Sequence, residues 1–86
     1  MSVPRWVNVS DNVEVLIGAG AGARIERLGP TRYEWCLMWP AVDAMWEHGY
    51  HLAASSMIDA RVAAERALHL DGVLTAHDLA RLEATR

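Results

Sequence analysis

Residues 33–39 carry the pattern that most constrains the fold. Large apolar side chains occupy every second position, namely Tyr33, Trp35, Leu37 and Trp39, and they alternate with Glu34, Cys36 and Met38. A strand points successive side chains to opposite faces, so the four large residues share one face of a sheet. This aromatic stripe must be buried against another element, which predicts a sheet covered by a helix.

Residues 57–70 are expected to form that helix. Ser56 followed by Asp59 is an N-terminal capping signal, and Asp71-Gly72 is a stop signal. One arc of the helix, expected to face the stripe, holds Met57, Ala60, Ala63, Ala64, Ala67, Leu68 and Leu70. The opposite, solvated arc holds Asp59, Arg61, Glu65, Arg66 and His69. Within it, Ile58 and Val62 either dock a C-terminal helix or are exposed.

The remaining segments predict further strands and a second helix. Residues 5–9 and 13–17 form one expected hairpin, and 23–28 with 33–39 form another. After Pro40, residues 41–48 are predicted to make one or two helical turns, followed by a strand over 50–54. Thr75 and Asp78 predict a short helix over 76–85. The chain is therefore expected to be a single α+β domain, residues 1–86, with an antiparallel sheet of three to five strands, one long Ala-rich helix and a short C-terminal helix.

A Gly/Ala run over residues 18–23 follows the second predicted strand. Gly18, Gly20 and Ala23 fit the dinucleotide-binding fingerprint. That fingerprint needs a following helix to receive the pyrophosphate, but the next segment reaches Gly29 and Pro30 too soon for one. We therefore predict a flexible connector between the hairpins, and no nucleotide cofactor.

Metal-binding and nucleophilic residues are sparse. His48 and His51 lie near Asp43 and Glu47, but zinc sites usually include several thiolates and Cys36 is the single cysteine. Cys36 also lacks the glycine elbow of an acyl-transfer nucleophile, and is expected to behave as a small hydrophobic residue. We expect no metal, no cofactor and no enzymatic activity.

Composition narrows the compartment and the partners. The net charge is −3 and every basic side chain is arginine, so a basic patch for nucleic acid is not expected. One cysteine in a small domain favours a reducing compartment, so we expect a cytoplasmic protein. No run approaches the roughly 18 apolar residues of a membrane span.

From Gly49 onward, the order strand, serine, Ala-rich helix resembles the last third of a double-stranded-RNA-binding domain and the compact domains of HicB-type antitoxins. The matching residues run from Ala53-Ala54-Ser55-Ser56 through Ala60, Ala63-Ala64 and Ala67-Leu68. The resemblance implies a helix on antiparallel strands and, as an alternative function, a nucleic-acid-associated regulator. The RNA-binding family has a lysine cluster at the helix start, where this chain has Arg61.

The short, Trp-rich chain without lysine is also similar to small accessory proteins of actinobacterial phages. That resemblance implies a viral protein, in the host cytoplasm, that binds a host protein or a larger assembly. The leading prediction is therefore a non-enzymatic interaction protein, with a homodimer as a further option. Aromatic and methionine residues are enriched at binding hot spots. The expected partner-binding residues are Trp46, Met45, Tyr50, Cys36, Met38, Ile58 and Val62.

Overall fold

A computed structural model of the chain describes the backbone of residues 3–40 and 45–85, and the side chains of 3–39 and 52–85. The elements are β1 (Arg5–Ser10), β2 (Val13–Ile17), β3 (Gly22–Gly29), β4 (Arg32–Pro40), β5 (Met45–Ala54), α1 (Met57–Leu70) and α2 (Ala76–Ala84). The predicted α+β class, with a long helix and a shorter C-terminal helix, is confirmed. The sheet has five strands, the upper end of the predicted range.

The strands follow one another across a single antiparallel sheet in the order β1-β2-β3-β4-β5. Both predicted hairpins are confirmed, because β1 pairs with β2 and β3 pairs with β4. Asp11 and Asn12 make the first turn, and Pro30 and Thr31 make the turn between β3 and β4. Such short turns leave each strand beside its predecessor, which produces the simple meander.

The prediction of helical turns over residues 41–48 is wrong for residues 45–48, which belong to β5. Residues 41–44 lie outside the described residues. Pro40 ends β4 opposite Met45 and does not begin a helix. A strand end tolerates proline because the missing N–H is not needed there. The predicted strand over 50–54 is confirmed as the second half of β5.

The core lies between one face of the sheet and α1. The buried residues Leu16, Ala23, Ile25 and Trp35 come from β2, β3 and β4, and they meet helix residues Ala60, Ala64 and Leu68. The other members of the aromatic stripe are partly buried against the same cluster. The stripe is thus confirmed as the helix-facing side of β4. Alanine on the facing side of α1 lets the helix approach the large rings without leaving voids.

Both helices begin and end where the sequence predicted, to within one residue. The Ser56 hydroxyl accepts the Asp59 N–H at 3.1 Å at the start of α1. At its end Gly72 has a φ of +80°, and the Val73 N–H donates to the Leu68 carbonyl at 2.9 Å. This is a Schellman motif, in which glycine takes the left-handed position.

Two positions on α1 were assigned to the wrong side. Glu65 is only 1% exposed, although we expected it in solvent, whereas Leu70 is 85% exposed, although we expected it in the core. On a helix with 100° per residue they lie about 100° and 120° from Ala64, on opposite flanks of the buried arc. β1 and α2 cover the flank that holds Glu65, so the tertiary arrangement decides which flank is buried.

The Gly/Ala run also needs a correction. The segment after the Gly/Ala run is β3, a strand, and not the helix that a dinucleotide site requires. The prediction that the run connects the two hairpins is therefore confirmed. The predicted flexibility does not fit the packing, however. Ala21 and Ala23 are buried in the core, and Gly18 takes a φ of +91° beside the Val3 backbone. Close packing of this kind holds a connector in one conformation.

Candidate interaction surface

The predicted partner-binding residues do not form one surface. Cys36 and Met38 lie on β4 on the face opposite the aromatic stripe, whereas Ile58 and Val62 lie on α1, on the other side of the sheet. Residues Met45, Trp46 and Tyr50 belong to β5, where Met45 pairs with Pro40 and Trp46 pairs with Trp39. The side chains of these three residues lie outside the described residues, so their role as partner contacts stays a prediction.

In this structure Cys36 cannot contact a partner protein directly. Its side chain is 1% exposed, and Arg24 is its cross-strand neighbour on β3. Strand parity places it on the face opposite the aromatic stripe, as expected, but the residue is buried there. Met38, two residues along the strand, is partly exposed and remains on that face. A longer side chain reaches past its neighbours, where a cysteine does not.

The two helix residues differ from each other. Ile58 is 57% exposed, so it does not dock α2. Val62 is partly buried and lines a groove between α1 and α2 together with Glu65, Arg66, Leu79 and Glu83. Three of these five residues are charged, which makes the groove a poor match for an apolar anchor. Of the two alternatives that the sequence left open, exposure holds for Ile58, whereas Val62 is partly buried and lines the groove beside Leu79.

The larger apolar feature is the sheet face that points away from both helices. Alternation along the strands and pairing with β5 assign the following described residues to it, and we call this set the uncovered face: Arg5, Val7, Val13, Val15, Ile17, Gly22, Arg24, Glu26, Arg32, Glu34, Cys36, Met38 and Ala53. Among the described residues no element packs on this face, since α1 contacts β3, β4 and β5 from the core side. An antiparallel sheet often has one solvated face, but polar residues then dominate it. Here more than half of the residues are apolar.

An apolar cleft lies at one end of the uncovered face. The end of β2, the glycine connector and Met38 line it, and the lining residues are Val15, Leu16, Ile17, Gly18, Ala19, Ala21, Gly22 and Met38. The side chains of the connector are small, so a depression forms between Ile17 and Met38. A depression of this kind suits a single apolar side chain from a partner.

A buried polar cluster, which the sequence did not reveal, links β1, β2 and α1. The Trp6 indole Nε1 donates to Glu65 Oε2 at 2.8 Å, and both side chains are largely or fully removed from solvent. The Arg61 guanidinium pairs with the Glu14 carboxylate, with Nε at 3.0 Å from Oε1. The same guanidinium lies 6.0 Å from the centre of the Trp6 ring, at the limit of a cation–π contact.

Strand parity could have predicted half of this cluster. Glu14 has the same parity on β2 as Leu16, a core residue, so an alternation argument places its carboxylate on the helix side. A buried carboxylate needs a cation or hydrogen-bond donors nearby. Arg61 is the residue that supplies them, from a position assigned to solvent by the helix pattern. The contacts of Trp6 and Glu65 join residues 59 apart in sequence, and no local signal predicts them.

The described side chains show little that resembles a chemical site. His69 donates from Nδ1 to the Leu74 carbonyl at 2.7 Å, which ties the end of α1 to the connection that follows. Within residues 3–39 and 52–85, no group of three or more histidine, cysteine, aspartate or glutamate side chains is placed to hold a metal ion. Neither described helix is long and apolar enough to span a membrane.

Comparison with known proteins adds no assignment. No family model matches the sequence, and neither a curated protein nor a solved structure shows significant similarity to the chain.

Proposed function

We propose that this protein is a non-enzymatic interaction protein that binds another protein surface through the uncovered face. One observation carries the proposal: a five-stranded sheet has both helices on one side and an apolar surface on the other. Val7, Val13, Val15 and Met38 are partly exposed, and Ile17 is 38% exposed. Contiguous apolar surface on a small domain usually marks a site of association.

The arrangement of charged groups supports a binding role over catalysis. Glu14 is held by Arg61, and Glu65 accepts a hydrogen bond from Trp6. Both carboxylates lie in the layer between the sheet and α1, away from the cleft on the other side. A catalytic carboxylate must reach a substrate, and these two face the interior of the fold.

A matched pair of substitutions tests the proposal. Val15→Asp places a charge in the centre of the apolar part of the uncovered face, and Ile58→Asp places the same charge at an exposed site on α1. Affinity capture from lysate of the source cell, read by mass spectrometry, should give a defined protein with wild type and with Ile58→Asp. Val15→Asp should lose it. Equal capture by both variants would contradict a binding role for this face.

Titration with nucleic acid separates this proposal from the alternative of a nucleic-acid-associated regulator. Tryptophan fluorescence with duplex RNA and duplex DNA at low salt should show no saturable change. Binding that weakens steeply as salt rises would favour the alternative, because phosphate contacts release counterions.

A further inference from the structure

Two adjoining clefts lie where the start of β1 meets the C-terminal half of α2. Their volumes are about 350 and 290 Å³, and Arg5 and Thr85 line both of them. The two clefts therefore form one depression, which also includes Arg61 and Arg81 and which we call the arginine trough. It shares no residue with the apolar cleft beside Met38 and is a separate surface.

The charge of the arginine trough is opposite to that of the chain. The chain carries a net charge of −3, yet three arginines and no aspartate or glutamate line the trough. The arginines come from β1, α1 and α2, so the fold brings them together and no local sequence signal predicts it. A depression lined by one sign of charge attracts ligands of the opposite sign.

The fold leaves two of these charges without an ion pair. Arg5 and Arg81 are exposed, and neither is within ion-pair distance of a described carboxylate. The pKa of Asp78, one turn before Arg81, is lowered chiefly by the Thr75 backbone N–H, and Arg81 makes the smallest contribution. An anionic ligand can thus pair with both guanidinium groups without displacing a carboxylate of the chain.

Arg61, the third cation, is already fixed in position. Its side chain is 24% exposed, and Nε and Nη2 both donate to the same oxygen of Glu14. Nη1 has no acceptor among the described residues. The guanidinium also lies 6.0 Å from the centre of the Trp6 ring. A donor that is fixed before binding loses little conformational entropy when a ligand arrives.

The end of α2 is capped where it borders the trough. Free carbonyl groups give a helix C-terminus a partial negative charge, which disfavours an anion. Here the Leu82 carbonyl accepts the Thr85 N–H at 3.3 Å and the Thr85 hydroxyl at 3.0 Å. Arg81 lies in the same last turn. The cap and the arginine together offset the negative end of the helix.

The other walls of the trough are apolar. Val3, Pro4 and Ala84 line one cleft, and Trp6 and Leu82 line the other. A single small anion would pair with arginine but leave these walls uncovered, whereas clefts of this volume suit the side chains of a peptide. A nucleic acid would need phosphate contacts well beyond three arginines, on a chain that is otherwise acidic.

We propose that the arginine trough binds an acidic segment of a partner protein. Aspartate or glutamate carboxylates of the segment pair with Arg5, Arg61 and Arg81, and its apolar side chains pack on the walls. Charge complementarity carries the assignment, because the planar guanidinium group matches a carboxylate in geometry. This second surface is independent of the binding role proposed for the uncovered face.

NMR titration of the intact chain at low salt tests the proposal. The probe is a short peptide with blocked ends in which glutamate and leucine alternate, and its control has glutamine in place of glutamate. The glutamate peptide should give saturable shifts of the Arg5 and Arg81 Nε–H and Trp6 indole N–H signals, and added salt should weaken them. Absence of these shifts, or equal affinity for the glutamine peptide, would overturn the proposal. Inorganic phosphate that binds as tightly as the glutamate peptide would also overturn it, in favour of a simple anion site.

Substitution of the exposed arginines locates the binding. Arg5→Gln and Arg81→Gln should each raise the dissociation constant of the glutamate peptide about two- to fivefold, and the double variant about tenfold, because each loses one partly exposed ion pair. Arg27→Gln, at an exposed position on β3 outside the trough, is the matched control and should bind like wild type.

Val15→Asp should also bind the glutamate peptide like wild type, whether or not it loses the protein captured through the uncovered face. Circular dichroism establishes that each variant is folded. A double variant that binds like wild type would contradict the proposal, as would an Arg27→Gln protein weakened as much as Arg5→Gln and Arg81→Gln.

Discussion

Glu65 shows how much a single residue can depend on the tertiary fold. The helix pattern of 57–70 assigns it to solvent, yet its carboxylate is buried and accepts the Trp6 indole N–H. The helix pattern describes α1 as a cylinder with one buried side and carries no information about β1, whose Trp6 lies 59 residues away in the sequence. Residues near the centre of the buried arc, such as Ala64, were assigned correctly because every plausible packing buries them.

Substitution of Glu65 should therefore be costly. Glu65→Ala leaves the buried Trp6 N–H without its acceptor and should lower the free energy of unfolding by about 1–3 kcal/mol. Glu65→Gln keeps an acceptor oxygen and should cost less. Glu83→Ala, at an exposed site on α2, is the control and should change stability by less than about 0.5 kcal/mol. Urea unfolding measures all three, and a Glu65→Ala protein as stable as the control would contradict the buried cluster.

The glycines of the connector give a second residue-scale test. A Cβ on Gly18 would lie 2.8 Å from the carbonyl carbon of Val3, at a φ of +91°, whereas a Cβ on Gly20 meets nothing within 4 Å. Gly18→Ala should destabilise the protein by at least about 1 kcal/mol, because alanine is strained at positive φ and clashes there. Gly20→Ala should be close to neutral. Equal melting temperatures for the two variants would favour the flexible connector predicted from the sequence.

At the scale of elements, local signals predicted what local physics determines. The capping residues Ser56 and Thr75, the stop at Gly72 and the alternation along β4 all gave correct boundaries, because each acts within a few residues. The segment after Pro40 failed for the opposite reason. Its residues 45–48 form a strand through pairing with β4, a contact that local sequence does not show, and the proline could equally have begun a helix or ended a strand.

The packing of α1 on the sheet can be tested through its small residues. Ala64 is fully buried against the core, and Ala64→Leu should overpack this contact at a cost of about 1–3 kcal/mol. Leu70→Ala should be nearly neutral, since Leu70 is exposed at the end of the helix. Thermal unfolding monitored by circular dichroism compares the two. A tolerated leucine at position 64 would mean that α1 does not approach the sheet as closely as described.

The capping box of α2 predicts a dependence on pH. The Thr75 backbone N–H donates to the Asp78 carboxylate at 2.9 Å and lowers the pKa of Asp78 below its usual value, and the Thr75 hydroxyl acts in the same direction. A carboxyl whose pKa is lowered by folding stabilises the fold above its unfolded pKa of about 3.9, and this contribution is lost as pH falls through the folded pKa.

Asp78→Asn should consequently be less stable than wild type at neutral pH, and the difference should shrink below about pH 4. Urea unfolding of both proteins over a pH series measures it. A difference that persists unchanged in acid would show that the charge on Asp78 contributes nothing.

At the scale of the whole molecule, the main feature is the asymmetry of the sheet. The helices cover one face and leave the other with a largely apolar surface. The sequence placed Cys36 and Met38 opposite the aromatic stripe and among the expected partner-binding residues, but it did not predict that β1 and β2 add Val7, Val15 and Ile17 to the same face. The extension depends on the register between strands, which alternation within a single strand does not determine.

The solvent exposure of the methyl groups on the uncovered face is the most direct test of the binding role proposed for it. In methyl NMR spectra with a soluble paramagnetic agent, signal loss reports which methyls are exposed to solvent, and Ile58 on α1 is an internal reference. We expect signal loss for Val7, Val15 and Ile17 in the free protein, because all three are at least partly exposed. We further expect these methyls to become protected when the protein captured from lysate is added, while Ile58 stays exposed. Protection of the three residues in the free protein, or their continued exposure after the captured protein is added, would contradict the proposed binding role of this face.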